Sequence, residues 1–157
     1  MKEDTWFATV LVAGLISCAG RPLGPGVDAR ESDLVGRDLA GRDLTGANLG
    51  AAKMRGCDLT GAVLMRANLA WADLGKADLS GADLSWSSLE RADLRGAKIG
   101  DAKLSQALLT GVHLAGADLS GVTDVTALQL SRAHCWDETT RFPEGIDVQP
   151  PTQPHRD

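Results

Sequence analysis

The amino-acid sequence predicts an all-β solenoid, and three observations carry that prediction. From Ser32 to Gly121 a large aliphatic residue returns at every fifth position, eighteen times without a break, from Leu34, Leu39 and Leu44 through Met54 and Ile99 to Leu119. Two positions before almost every one of these centres stands a small residue, such as Ala47, Ala52, Cys57, Ala62, Ser87 or Ala117. Aromatic residues make up only 4% of the 157 residues, with two Phe, four Trp and no Tyr, so the interior must be filled by Leu and Ala. A period of five fits neither the 3.6 of a helix nor the 2 of a strand, and in either element these leucines would be spread over exposed surface. The pattern buries them only if each five-residue unit turns a corner and repeats the side-chain directions of the last, with the centre and the small residue pointing inward and the other three outward.

Units such as Ala77-Asp78-Leu79-Ser80-Gly81 and Ala117-Asp118-Leu119-Ser120-Gly121 resemble the A(D/N)LXX pattern of the pentapeptide-repeat family. The resemblance covers 90 residues, 32–121. It implies a right-handed quadrilateral β-helix with four units per coil, hence about 4.5 coils and a tower about 22 Å tall at the spacing of stacked strands. In such a solenoid each coil touches only its neighbours, and the two open ends need covering.

Taken in order, the chain begins with an apolar run, Trp6–Ser17. Its twelve residues are too few for a transmembrane helix and suit the hydrophobic region of a signal peptide. Leu15-Ile16-Ser17-Cys18 resembles the lipobox of bacterial lipoprotein precursors, which implies a signal peptide over 1–17 and a lipid on Cys18. Two alternatives stay open. Ser17-Cys18-Ala19 also fits ordinary cleavage before Gly20, and the lack of net positive charge in Met1-Lys2-Glu3-Asp4 leaves room for a cytosolic N-terminal cap or helix. Residues 18–31, with their Gly and Pro, read as a flexible linker. The tower follows over 32–121. Arg37 and Arg42 stand at inward-type positions, where an unpaired charge is costly, and are expected to snorkel out of the first coil. The register fails at Asp124, so 122–149 is read as a C-terminal cap, with a short helix or irregular segment near Ala127–Ala133 and with Trp136 and Phe142 covering the last leucines. The Pro-rich 150–157 is a tail.

With twenty residues per coil, surface columns follow from the resemblance. One holds Gly46, Arg66, Trp86 and Gln106, and the next Ala51, Trp71, Arg91 and Gly111. Arg66 with Trp86, and Trp71 with Arg91, are expected to form cation–π pairs, each worth about 0.5–1 kcal/mol when exposed. Trp and Arg are enriched where proteins bind one another, so these four residues form the candidate binding patch, with mutual shielding as the plain alternative. Two further columns, Asp38–Asp58–Asp78–Lys98–Asp118 and Asp33–Lys53–Asp73–Asp93–His113, are acidic, and their carboxylates are expected to bond turn backbone. They lack the Gly-Gly-x-Gly-x-Asp spacing of calcium-binding β-helices.

The net charge of -5 argues against direct nucleic-acid binding. No CxxC or HExxH spacing points to a metal, and His134-Cys135 with Asp137 offers no nucleophile geometry, since adjacent residues rarely face each other. Cys57, at an inward small position, is expected to be a buried thiol. No catalytic residue, cofactor or small-molecule substrate is therefore expected. The function that follows is a membrane-tethered scaffold or protein-interaction module of a bacterial cell envelope, held by a lipid anchor and contacting a protein partner. The alternatives are a cytoplasmic inhibitor of a DNA-handling enzyme such as gyrase through duplex mimicry, which some members of the resembled family practise, and a structural repeat without a dedicated partner.

Overall fold

The computed structural model describes residues 23–148. The expected signal peptide, Cys18 and the 150–157 tail lie outside them. From Asp28 onward, parallel β-bridges join residues twenty apart: Asp28 to Asn48, Asp33 to Lys53, Asp38 to Asp58, Asp43 to Val63, and so on to Lys98 with Asp118. Four bridges per twenty residues make a four-sided coil. We number the faces by the residue that precedes each centre. Face 1 carries Asp33, Lys53, Asp73, Asp93 and His113. Face 2 carries Asp38, Asp58, Asp78, Lys98 and Asp118. Face 3 carries Asp43, Val63, Asp83 and Lys103. Face 4 carries Asp28, Asn48, Asn68, Ser88 and Leu108.

The five backbone N–H groups of a unit explain its composition. In the unit centred on Leu59, the Ala62 N–H after the corner donates back to Leu59 O and closes the turn. Asp58 N–H donates to Arg37 O in the preceding coil, while Leu59 and Gly61 donate to Asp78 O and Ser80 O in the following one. The fifth, on Thr60, donates to Asp58 Oδ1 at 2.9 Å. The same bond to the carboxylate two residues back recurs at Asp38, Asp43, Asp78, Asp83, Asp93 and Asp118. A carboxylate or amide before the centre thus satisfies the one donor that neither neighbouring coil reaches.

Inside, the centres stack as columns of Leu beside columns of Ala. Leu39, Leu59, Leu79, Ala52, Ala72 and Ala92 are all fully buried. Cys57 lies in a small-residue column; its thiol donates to Leu34 O at 2.8 Å, and burial raises its pKa. Arg37 and Arg42 do not enter the core: Arg37 is exposed and Arg42 half-exposed.

The register starts one unit earlier than the sequence suggests. Val27–Glu31, read above as linker, form a coil unit: Asp28 bridges Asn48 and Ala29 is fully buried. In this unit the sizes of the two inward residues are exchanged, with Val27 at the small position and Ala29 at the centre. Both residues are buried, but the aliphatic beat that marks the other units is lost.

At the far end, faces 1 and 2 gain one further layer through bridges from His113 to Cys135 and from Asp118 to Arg141. Face 3 ends on a side chain: Asp124 accepts from Leu104 N and Ser105 N at 2.8 and 2.9 Å, in place of another coil. Helix α1, Ala127–Ser131, starts in a capping box between Thr126 and Gln129. Gln129 also donates to Leu104 O and Ala107 O. Trp136 and Phe142 meet edge to face, centroids 5.5 Å apart, against the core. Among the described residues no helix is long and apolar enough to cross a membrane.

Candidate interaction face

The faces differ in charge. Faces 1, 2 and 3 carry charged rows, several of them paired across coils, such as Lys98 with Asp78 at 3.4 Å and Lys103 with Asp83 at 3.6 Å. Hydrogen bonds, first from the Thr60 hydroxyl at Asp58 and the Ser80 hydroxyl at Asp78, hold both below the usual carboxylate range. Face 4 is different. Beyond Asp28, which Arg30 pairs at 2.9 Å, its row is Asn48, Asn68, Ser88 and Leu108, with no charge. Asn68 Nδ2 donates to Asn48 Oδ1 at 3.0 Å, forming a short amide ladder.

The corners differ in parallel. Each turn needs one residue with positive φ, and at most corners that residue is Gly, which adopts it without steric cost. Eight non-Gly residues adopt it: Glu31, Ala51, Arg66, Trp71, Lys76, Trp86, Arg91 and Gln106, with φ from 54° to 63°. All but Lys76 sit at the two corners that border face 4. The left-handed conformation costs an L-residue roughly 1–2 kcal/mol. Most of the backbone strain thus lies along the edges of face 4, and strained residues often cluster at functional sites.

The four residues singled out in the sequence are part of this border. Trp71 and Trp86 are 61% and 60% exposed, although neither is needed to cover the core. They lie at opposite corners of one face, with Arg66 beside Trp71 in one coil and Arg91 beside Trp86 in the next. Arg and Trp therefore alternate as a two-by-two checkerboard around Asn68 and Ser88. One of the two expected cation–π pairs is present: Arg91 Cζ lies 4.7 Å from the Trp71 ring centroid. Among the described residues Arg66 makes no such contact with Trp86. Lys98, Lys103, Arg91 and Arg141 reach back to a partner in the preceding coil, whereas Arg55 reaches forward to Asp73 in the following one, at 3.3 Å.

Two features near the border were not anticipated. Beside Trp71 and Arg91 a groove of about 380 Å³ is lined by Thr110, Gly111, His113 and His134, whose rings meet edge to face at 5.2 Å. Gly111 keeps it open, since a Cβ there would come within 3.1 Å of Arg91 Cγ. At the C-terminal end of face 4, Leu108 and Leu128 are exposed and line a second groove with Gln106, Gln129 and Arg132. Among the described residues no group of three or more His, Cys, Asp or Glu is placed to hold a metal ion.

The profile of the family described as pentapeptide repeats matches in overlapping segments spanning 26–123, more than half of the chain. No curated protein matches the sequence. Among solved structures, a pentapeptide-repeat protein of the Arabidopsis thaliana thylakoid lumen is 28% identical with a TM-score of 0.62, over 71% of this chain and 74% of its own. A pentapeptide-repeat protein of the cyanobacterium Cyanothece 51142 is 23% identical with a TM-score of 0.54, over 74% and 88%. QnrB1, a plasmid-mediated fluoroquinolone resistance protein, is 16% identical with a TM-score of 0.60, over 86% and 67%, a likeness of fold alone. With five-residue units, four to a coil, and a family profile matching 26–123, the chain belongs to the pentapeptide-repeat family, whose fold is the right-handed quadrilateral β-helix.

Proposed function

We propose that this protein is a non-catalytic protein-interaction module of a bacterial cell envelope, tethered to the membrane through Cys18, and that face 4 is the surface it presents. One observation carries the reading. All but one of the non-Gly residues with positive φ, Lys76 being the exception, border the one face without a charged row beyond Asp28, and they include both exposed tryptophans. An aromatic pair flanked by arginines over a neutral polar floor is the composition of a protein-binding hot spot. The tether rests on the Leu15–Cys18 motif.

The test has two parts. The N-terminal peptide of the protein from its native host should begin at a lipid-modified Cys18; a chain that still begins at Met1 or Lys2 contradicts the tether. Affinity capture from that host should recover a partner that the double variant Trp71→Ala/Trp86→Ala no longer retains, whereas Lys53→Ala, on face 1, retains it. Equal capture by both variants contradicts the role of face 4.

One observation favours a second reading. The carboxylate row of Asp38, Asp58, Asp78 and Asp118 on face 2 suits a protein that presents acidic charge to a DNA-handling enzyme. Inhibition of gyrase supercoiling by the purified chain, abolished by Asp58→Lys/Asp78→Lys, would establish that reading over the first.

A further inference from the structure

The checkerboard has a symmetry that bears on what it binds. In one coil the borders of face 4 carry Arg66 on one side and Trp71 on the other; in the next they carry Trp86 and Arg91 in the opposite order. Lay a second copy against this face by a two-fold axis running along the tower. The operation exchanges the two borders and keeps each coil at its own height. Arg66 then faces Trp71 of the second copy, and Trp86 faces Arg91 of the second copy. No Arg meets an Arg and no Trp meets a Trp. Had the two coils carried their Arg and Trp in any order that does not alternate, at least one like pair would have met under this axis or under the axis across the tower.

The rest of face 4 obeys the same operation. The row Asn48, Asn68, Ser88 and Leu108 lies on the axis and meets itself. An amide both donates and accepts, so Asn68 can bond its own copy, while the Ser88 hydroxyl donates to Glu90 Oε2 at 3.3 Å and brings no charge of its own to the axis. Leu108, exposed in the monomer, meets Leu108. Asp28 would meet its own copy, but Arg30 pairs it at 2.9 Å. The same operation on face 2 would set Asp38, Asp58, Asp78 and Asp118 against themselves, and like charges opposed across an interface are strongly unfavourable. Of the four rows, only that of face 4 opposes no unpaired like charges on the axis; Glu90, which accepts from Ser88 Oγ at 3.3 Å, stands beside the row and off the axis.

We propose that two copies of this chain pair face 4 to face 4, with the towers parallel and the two-fold axis along them. A two-fold contact is closed, so assembly stops at the dimer. The parallel sense is chosen over the antiparallel one because only it brings Leu108 onto Leu108. It also puts both N-terminal ends on one side, as two copies tethered to one membrane through Cys18 require. The proposal rests on the reading of face 4 as an interaction surface and names its occupant.

The experiment is sedimentation velocity of the full chain, joined to disulfide trapping in a background where Cys18 and Cys135 are Ser. Four single variants are compared: Ser88→Cys and Ser88→Lys on face 4, and Asp78→Cys and Asp78→Lys on the opposite face. Lys stands at the equivalent position in Lys53, Lys98 and Lys103, so both Lys variants are compatible with the fold. The proposal predicts a dimer that Ser88→Cys traps covalently and Asp78→Cys does not. Ser88→Lys should weaken dimerisation by at least roughly tenfold, because two like charges are brought together on the axis; Asp78→Lys should leave it unchanged. A chain that stays monomeric at all concentrations overturns the proposal, as does a dimer trapped through Asp78→Cys or indifferent to Ser88→Lys. A monomer that still loses its captured partner in Trp71→Ala/Trp86→Ala refutes the self-pairing alone, and one that does not refutes the interaction face as well.

Discussion

Arg91 reaches back across one coil to lay its guanidinium over Trp71, Cζ to ring centroid 4.7 Å, while both residues hold left-handed backbone that Gly fills at most other corners. Trp86 shares the conformation and the exposure but has no arginine over it. The two sites therefore separate backbone strain from ring contact. Replacing either Trp by Gly relieves the same strain, but only Trp71→Gly gives up the cation–π contact. Thermal or urea unfolding should place Trp71→Gly about 0.5–1 kcal/mol below Trp86→Gly. Equal stabilities would mean that the contact contributes nothing in solution.

Leu69 is fully buried in the middle of the tower. Leu69→Ala should cost roughly 2–5 kcal/mol, since rigid coils above and below cannot collapse into the cavity. Urea melts followed by far-UV circular dichroism measure this directly. A loss under 1 kcal/mol would contradict the inward register.

The far end of face 3 hangs on Asp124. Asp124→Ala leaves Leu104 N–H and Ser105 N–H without their acceptor, and hydrogen bonds to a charged group are worth about 1.5–3 kcal/mol. The loss should appear as faster amide exchange at 104 and 105 before other coils open. Unchanged exchange there would show that this end is held by something other than Asp124.

Acid should loosen the tower. Hydrogen bonds, the side-chain hydroxyl of the residue two ahead first, lower the pKa values of Asp43, Asp58, Asp78 and Asp118. A carboxylate whose folded pKa lies below its unfolded value contributes stability that is complete above the unfolded value, near 3.9, and is lost as pH falls through the folded one. Melting temperature should be flat with respect to these groups from about pH 7 to 5 and fall below about pH 4. Asp43→Asn, which keeps the acceptor oxygen but cannot titrate, should lessen the fall. A melting temperature constant to pH 2.5 would refute the bonds.

The tower was legible because the sequence states its register in the identity of single residues. A Leu every fifth position with Ala two before admits one way to bury both. The first unit escaped this reading for the same reason: Val27 and Ala29 are both buried with the larger residue at the small position, so burial was kept where the pattern was not. The candidate patch was legible as four residues but not as one face. Columns twenty apart show what stacks along the tower; only the order of faces shows that the Arg66–Trp86 column and the Trp71–Arg91 column border the same uncharged row. The column of letters set Arg66 next to Trp86 and Trp71 next to Arg91, but it shows which residues stack and not which side chains meet; of the two pairs, Arg91 with Trp71 is the one in contact among the described residues. A clue to the face did stand in the sequence: the corners that abandon Gly are 31, 51, 66, 71, 86, 91 and 106 on the two borders of face 4, with Lys76 and Asp101 as the exceptions.

The central claim is that face 4 is the surface at which this protein meets another chain. Photo-crosslinking in the native host tests it most directly, with a photoreactive residue placed at 88 on face 4 or at 58 on face 2. The account predicts a discrete crosslinked product from position 88 and none from position 58. A product from position 58 with none from position 88 would contradict it and turn attention to the acidic face.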